Sequence, residues 1–233
     1  MDWLISYKFR KQTSKPAGED HTLALDKDGS VFSFGSNSYS QLGLNIPDEG
    51  DYPPTKIINL PTIKMVSAGL NFSLFLSIDG FVYSVGNNTN GQLGLGNEYH
   101  QDNITLIPEL YDIVDVVAGT THSLFLNKYG QVFSCGDNSN GQLGLGNYTD
   151  NGLLEYADFD EVGTDEFDIN VPTLIYRLEN IFIVQIAAYQ NHSAFIDKDG
   201  NVYVCGTNNN NSLGFEGQGV DIPTLIPNLN LFV

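Results

Sequence analysis

Histidine recurs at one register of this chain. His21, His122 and His192 each open a short apolar run, and Phe72 holds the same place in the run F-S-L-F-L. A set of histidines suggests a zinc site or a proton relay, but zinc requires its ligands within about 2 Å of one ion. Positions that recur on separate sheets are held apart by the sheets themselves, so the expected role is structural, each ring bonding to the backbone of a neighbouring sheet. The strings D-K-D-G from Asp26 and Asp197 have the look of a calcium loop opening, yet that loop puts glycine sixth and glutamate twelfth. Here glycine comes fourth, as in a hairpin turn.

The stretch Gly136 to Gly146 reads G-D-N-S-N-G-Q-L-G-L-G, rich enough in glycine to cradle a phosphate. It lacks the Lys-Ser/Thr and the helix start that a phosphate loop needs. Cys135 and Cys205 each precede the first glycine of this phrase, where other copies carry Phe34 and Val85. That slot is apolar, and a free cysteine there is a small hydrophobe. Stacked sheets lie roughly 10 Å apart, beyond disulfide reach. His100 is an isolated loop residue, and no Ser-His-Asp or Cys-His set stands out. The residues therefore read as non-enzymatic, with no metal and no cofactor.

The elements that would position these residues follow from repetition. The phrase recurs as G-N-N-T-N-G-Q-L-G-L-G from Gly86, and in weaker form from Gly35 and Gly206. Before each copy lie two short apolar runs around a turn ending in Gly29, Gly80, Gly130 or Gly200, the signature of a β-hairpin. The runs are apolar at nearly every residue, which predicts sheets covered on both faces and hence stacked. After each phrase comes a Thr-marked piece such as P-T-K-I from Pro54 or P-T-L-I from Pro172 and Pro223, then an apolar run into Ala-Gly or Ala-Ala. About four short strands per unit, in an all-β chain, describe propeller blades. From Gly29 to Gly80 is 51 residues and to Gly130 a further 50, whereas Gly130 to Gly200 is 70, so the third unit carries an insertion at about 147–171. The expected organisation is an arm over residues 1–17 and a four-repeat domain over 18–233. In the arm Trp3, Ile5, Tyr7 and Phe9 alternate with other residues, as in a strand able to close a sheet edge.

Composition narrows the partners. The chain has 233 residues, 41% hydrophobic and 12% aromatic, enough to hold a core despite a net charge of −18. Lys8, Arg10, Lys11 and Lys15 face only Asp2 within the arm, so the remainder is more acidic than the whole. Nucleic-acid affinity rests on Lys and Arg, and an acidic body argues against it. No apolar run approaches the roughly 20 residues of a membrane span, and no signal peptide is evident; the expectation is an intracellular, cytoplasmic chain, with the nucleus open.

The insertion is the one segment with individuality. Asp150, Glu155, Asp158, Asp160, Glu161, Asp165, Glu166 and Asp168 accumulate without Lys or Arg, interleaved with Leu153, Leu154, Tyr156, Phe159 and Phe167. Two readings are open: a solvated loop, or an element that docks a basic partner through acids and aromatics. As candidate partner-binding residues the second reading names those eight acids with Tyr156, Phe159 and Phe167.

A-G-x-x-H-S-L, a glycine after the hairpin and G-x-N-x-x-G-Q-L-G-L-G at about 50-residue spacing together resemble the regulator of chromosome condensation repeat family, over residues 17–233. The outer units depart from the pattern: Ser40 and Asn211 replace a glycine, and Ser212 replaces the glutamine. The resemblance implies β-propeller blades, usually seven, whereas four repeats are present. Closure as a four-bladed ring, an open arc and assembly with a second copy are all compatible. The expected function is a non-enzymatic protein-interaction scaffold presenting its loops and the acidic insertion. The alternative implied by the family is a nucleotide exchange factor for a Ran-like small GTPase.

Overall fold

The computed structural model describes residues 16–46, 50–146 and 168–231. The arm before Pro16 and the insertion's residues 147–167 lie outside them. The described chain is built from β-strands arranged as four antiparallel sheets. The first holds β1 (His21–Leu25), β2 (Val31–Ser36) and β3 (Asp51–Lys56). The second orders β4 (Ile63–Ala68), β5 (Phe72–Ser77), β6 (Val82–Gly86) and β7 (Gln101–Leu106). The third holds β8 (Ile113–Ala118), β9 (His122–Asn127), β10 (Val132–Asp137) and β11 (Asp168–Leu174); the fourth holds β12 (Ile183–Tyr189), β13 (His192–Asp197), β14 (Asn201–Gly206) and β15 (Val220–Asn230). Among the described residues no helix is long and apolar enough to cross a membrane.

Sequence repeats and sheets are out of phase by one strand. The apolar run into Ala-Gly, expected to close its own unit, instead opens the next sheet: Ala118 is followed by a tight turn in which Gly119 N–H donates to His122 O at 2.8 Å, folding β8 against β9. Each inner strand is tied back to the sheet before it. Ile63 N–H donates to Gly29 O, Ile113 to Gly80 O and Ile183 to Gly130 O, all at 3.0–3.1 Å. In the first sheet, of three described strands, Ala17 forms an isolated bridge to Thr22.

The sheets stack face to face through three apolar seams. Leu23, Val31, Phe75 and Val85 fill the first, Phe72, Leu74, Phe125 and Cys135 the second, and Leu124, Val132, Phe195 and Cys205 the third. All six residues of β5 and of β9 are buried, the two-faced burial their composition predicts. β1 and β13 alternate buried and half-buried positions instead, because each belongs to a sheet with one neighbour. Inner strands pack sheet one to two, two to three and three to four; among the described residues no comparable packing joins four to one. The described residues form an arc of propeller blades.

Candidate functional site

The glycine phrase forms the loops on one side of the arc, and its side chains are spent on folding it. In the second unit Asn88 Oδ1 accepts the Leu93 N–H at 2.9 Å and Gln92 Oε1 accepts the Asn90 N–H at 2.9 Å. Asn138 and Gln142 repeat this in the third, and Asn37 and Gln41 in the first. Side-chain amides thus satisfy backbone donors that a strand ladder would otherwise hold. Where Ser212 replaces the glutamine, Asn210 turns left-handed, with φ 55°. The opening glycine sits at a bulge: Gly136 has φ 110°, and a Cβ there would strike Thr121 O.

The phrase also mortars the sheets together. Ser73 Oγ donates to Gln41 O at 2.7 Å and Ser193 Oγ to Gln142 O at 2.7 Å, each across a seam. The histidines meet these serines: His21 Nε2 lies 3.0 Å from Ser73 Oγ, and His122 Nε2 3.0 Å from Ser193 Oγ. The expected backbone partner is therefore replaced by a hydroxyl. Because each serine proton is committed to a carbonyl, the hydroxyl must accept, which fixes the Nε2–H tautomer of His122. Burial pushes the His122 pKa down to about 4, keeping the ring neutral. Cys135 and Cys205 are free and buried, and burial pushes both thiols up, away from reactivity. Asp26 Oδ1 accepts the N–H groups of Asp28 and Ser30, and Asp197 Oδ1 those of Asp199 and Asn201, so both carboxylates shape hairpin turns.

The sequence-predicted docking residues divide between described and undescribed chain. Asp150, Glu155, Tyr156, Asp158, Phe159, Asp160, Glu161, Asp165, Glu166 and Phe167 lie outside the described residues. Asp168 opens β11 opposite Asp137, and its Oδ2 accepts the Asn90 Nδ2–H at 3.1 Å, strapping sheet three to the phrase of sheet two. The insertion is rooted at Gly146, whose N–H donates to Asp221 O, and at Asp168, so both roots stand on the phrase side of the arc.

That side is distinguished by charge. Every described Lys and Arg (Lys27, Lys56, Lys64, Lys128, Arg177 and Lys198) lies at the opposite side, in hairpin turns, strand ends beside them, or the loops that lead into inner strands. There they meet acids, as in the Lys128–Asp112 pair at 2.9 Å. The phrase side carries Asp20, Asp51, Asp102, Asp137, Asp168 and Asp221, with Glu19, Glu98 and Glu216, and among the described residues no Lys or Arg. A groove of about 450 Å³ opens there at the third seam, lined by Asn138, Asn140, Asn208, Gln218 and Asp221. Sequence reading missed this segregation, although the repeat alignment already set Lys27, Lys128 and Lys198 in hairpin turns.

Comparison with known proteins places the arc. Human HERC6, a probable E3 ubiquitin-protein ligase, is 35% identical over 200 residues, which is 85% of this chain and 18% of HERC6. The regulator of chromosome condensation of Xenopus laevis is 41% identical over 81 residues, 35% of this chain and 19% of that protein. Prp20, the RCC1 of Saccharomyces cerevisiae, superposes with a TM-score of 0.74 at 25% identity in its complex with Kap60, covering 91% of this chain and 47% of that one. This chain thus spans less than a fifth of those two curated relatives and about half of the solved propeller. The expectation of a non-enzymatic protein is corrected by the ligase relatives: the HERC6 match takes in 85% of this chain, so the lack of a catalytic set in these residues does not describe the proteins that carry such a domain. A family model described as RCC1-like domain matches residues 9–232, and with the four stacked sheets and their phrase loops the chain belongs to the RCC1-like domain family, whose propeller is a protein-interaction fold.

Proposed function

We propose that the phrase side of the arc, with the acidic insertion rooted on it, is a docking face for a basic protein. The carrying observation is the confinement of every described Lys and Arg to the opposite side, which leaves the described residues of the phrase side with a single sign. Such a face steers a cationic partner and accelerates encounter. A propeller supplies the rigidity, and the insertion supplies aromatic residues among its acids. The relative Prp20 is described with binding properties to Gsp1p and histones, and histones have the basic chemistry this face would accept. Exchange on a Gsp1p-like GTPase has no comparable observation behind it here.

The test is binding of core histones to the whole chain and to a variant lacking residues 150–167, followed by fluorescence anisotropy. Binding that weakens at least tenfold on deletion is the expected result. Equal affinity for both forms would return the insertion to a solvated loop, and failure to bind any basic protein would remove the docking face.

A further inference from the structure

Among the described residues the phrase contains the pair Asn-Gly twice, as Asn90-Gly91 and Asn140-Gly141. In this dipeptide an asparagine side chain is most open to attack by its own main chain, because glycine brings no side chain to shield the nitrogen that follows. The two copies share their backbone setting. Gly91 N–H donates to Asn88 O and Gly141 N–H to Asn138 O, both at 2.9 Å, and each asparagine N–H donates to a glutamine Oε1 at 2.9 Å. The side chains differ. Asn90 is half-buried, and its Nδ2–H is held by Asp168 Oδ2 at 3.1 Å across the second seam. Asn140 is exposed among the described residues, and its Nδ2–H reaches Ser139 Oγ, its own neighbour in the chain, at 3.0 Å. The cause lies in the following sheet. Ile169 pairs with Gly136 as Val220 does with Gly206, so the place of Asp168 in sheet three falls to Gly219 in sheet four, which has no carboxylate to offer.

We propose that Asn140 is a site of spontaneous deamidation and that Asp168 shields Asn90 from the same reaction. The Gly141 nitrogen, having given its proton to water, attacks Asn140 Cγ; the Cγ–Nδ2 bond breaks and ammonia leaves, closing a five-membered succinimide. Water then opens that ring at one carbonyl or the other, giving aspartate or isoaspartate with no change of oxidation state. In both copies the glycine N–H must first leave its carbonyl, so this brake is common to the two sites. Asn90 must in addition leave a charged acceptor, a restraint that slows the step about tenfold or more. Asn140 gives up only a neutral hydroxyl. Either product sets a new carboxylate beside the groove at the third seam, which Asn140 and Asp221 line. Isoaspartate also adds a methylene to the main chain where Gly141 lies too close to Asp221 to admit a Cβ. The reaction needs no partner and stands apart from the docking face.

The experiment ages the full chain at neutral pH under mild warming and follows the conversion of amide to acid at each asparagine by peptide mass spectrometry. Fragment ions separate Asn140 from Asn151 of the Asn151-Gly152 pair, which lies outside the described residues. Asn140 should convert about tenfold faster than Asn90 in the folded chain. In concentrated urea, where only the local sequence remains, the two rates should be equal. Asp168→Ala should raise the Asn90 rate about tenfold and leave that of Asn140 as it was. Equal rates in the folded chain, or a difference that persists in urea, overturn the proposal. So does an Asn140 that stays intact while the unfolded chain reacts, or a folded Asp168→Ala chain whose Asn90 reacts no faster. Should Asp168→Ala unfold, the comparison of the two sites within the parent chain decides alone.

Discussion

His122 shows how one side chain can tie stability to pH. Its neutral ring is clamped between sheets, and protonation would bury a charge whose new proton sits on Nδ1, a buried atom with no hydrogen-bond partner. The folded pKa, about 4, lies below the ordinary 6.5, so this residue's contribution is complete above pH 6.5 and is lost as pH falls toward 4. The full loss is about 3 kcal/mol. Asp115 acts in the opposite sense: burial raises its carboxyl to about 6, so the fold gains from its protonation over part of the same range. Comparing His122→Gln with the parent separates the two. Urea unfolding should find the variant less stable at pH 7 by about 1–2 kcal/mol, with the deficit shrinking or reversing by pH 4. A parallel pair of pH curves would contradict the clamp.

At the scale of the element, the phrase was readable as turn-rich, but its purpose was not. Asn and Gln at fixed offsets do not advertise that their amides replace a strand ladder, since that depends on where the backbone donors point once folded. The second glycine of the phrase shows the same limit. Gly141 has φ 75°, and a Cβ there would strike the Asp221 backbone of the next sheet, whereas Ser40 and Asn211 occupy the equivalent place at φ 58° and 59°. Left-handed geometry alone costs roughly 1–2 kcal/mol for an ordinary residue. Gly141→Ala should therefore cost more than Ser40→Ala, by at least about 1 kcal/mol in thermal unfolding, because it adds a collision to the strain. The strand count per unit was legible from apolar runs and turns. The phase of sheets against repeats was not, because an apolar strand can pair with the hairpin before it or after it, and only the short Gly119 turn selects the latter.

For the whole molecule, four stacked sheets were legible because identical apolar runs demand neighbours on both faces. Which face would act was not, because net charge says nothing of its arrangement in space. The segregated charges make a prediction at this scale. Replacing Asp102 and Asp221, on the first and third seams of the phrase side, by lysine should slow association with a basic protein at low salt about tenfold or more while leaving the melting temperature nearly unchanged. Replacing Asp79 and Asp199, in hairpin turns on the opposite side, should leave association unaltered. Stopped-flow rates over a salt series check both, and equal slowing by the two pairs would mean that total charge, not its placement, governs encounter.

The one-strand offset between repeats and sheets has a consequence for how such a chain can change length. Each of the second, third and fourth sheets is composed from two successive units, like bricks laid across the joints of the course below. Duplicating or excising a unit of about 50 residues leaves each remaining sheet with a complete set of strands, so growth by copying never has to pass through a broken blade. The same overlap means that no single unit, released on its own, carries a whole four-stranded sheet.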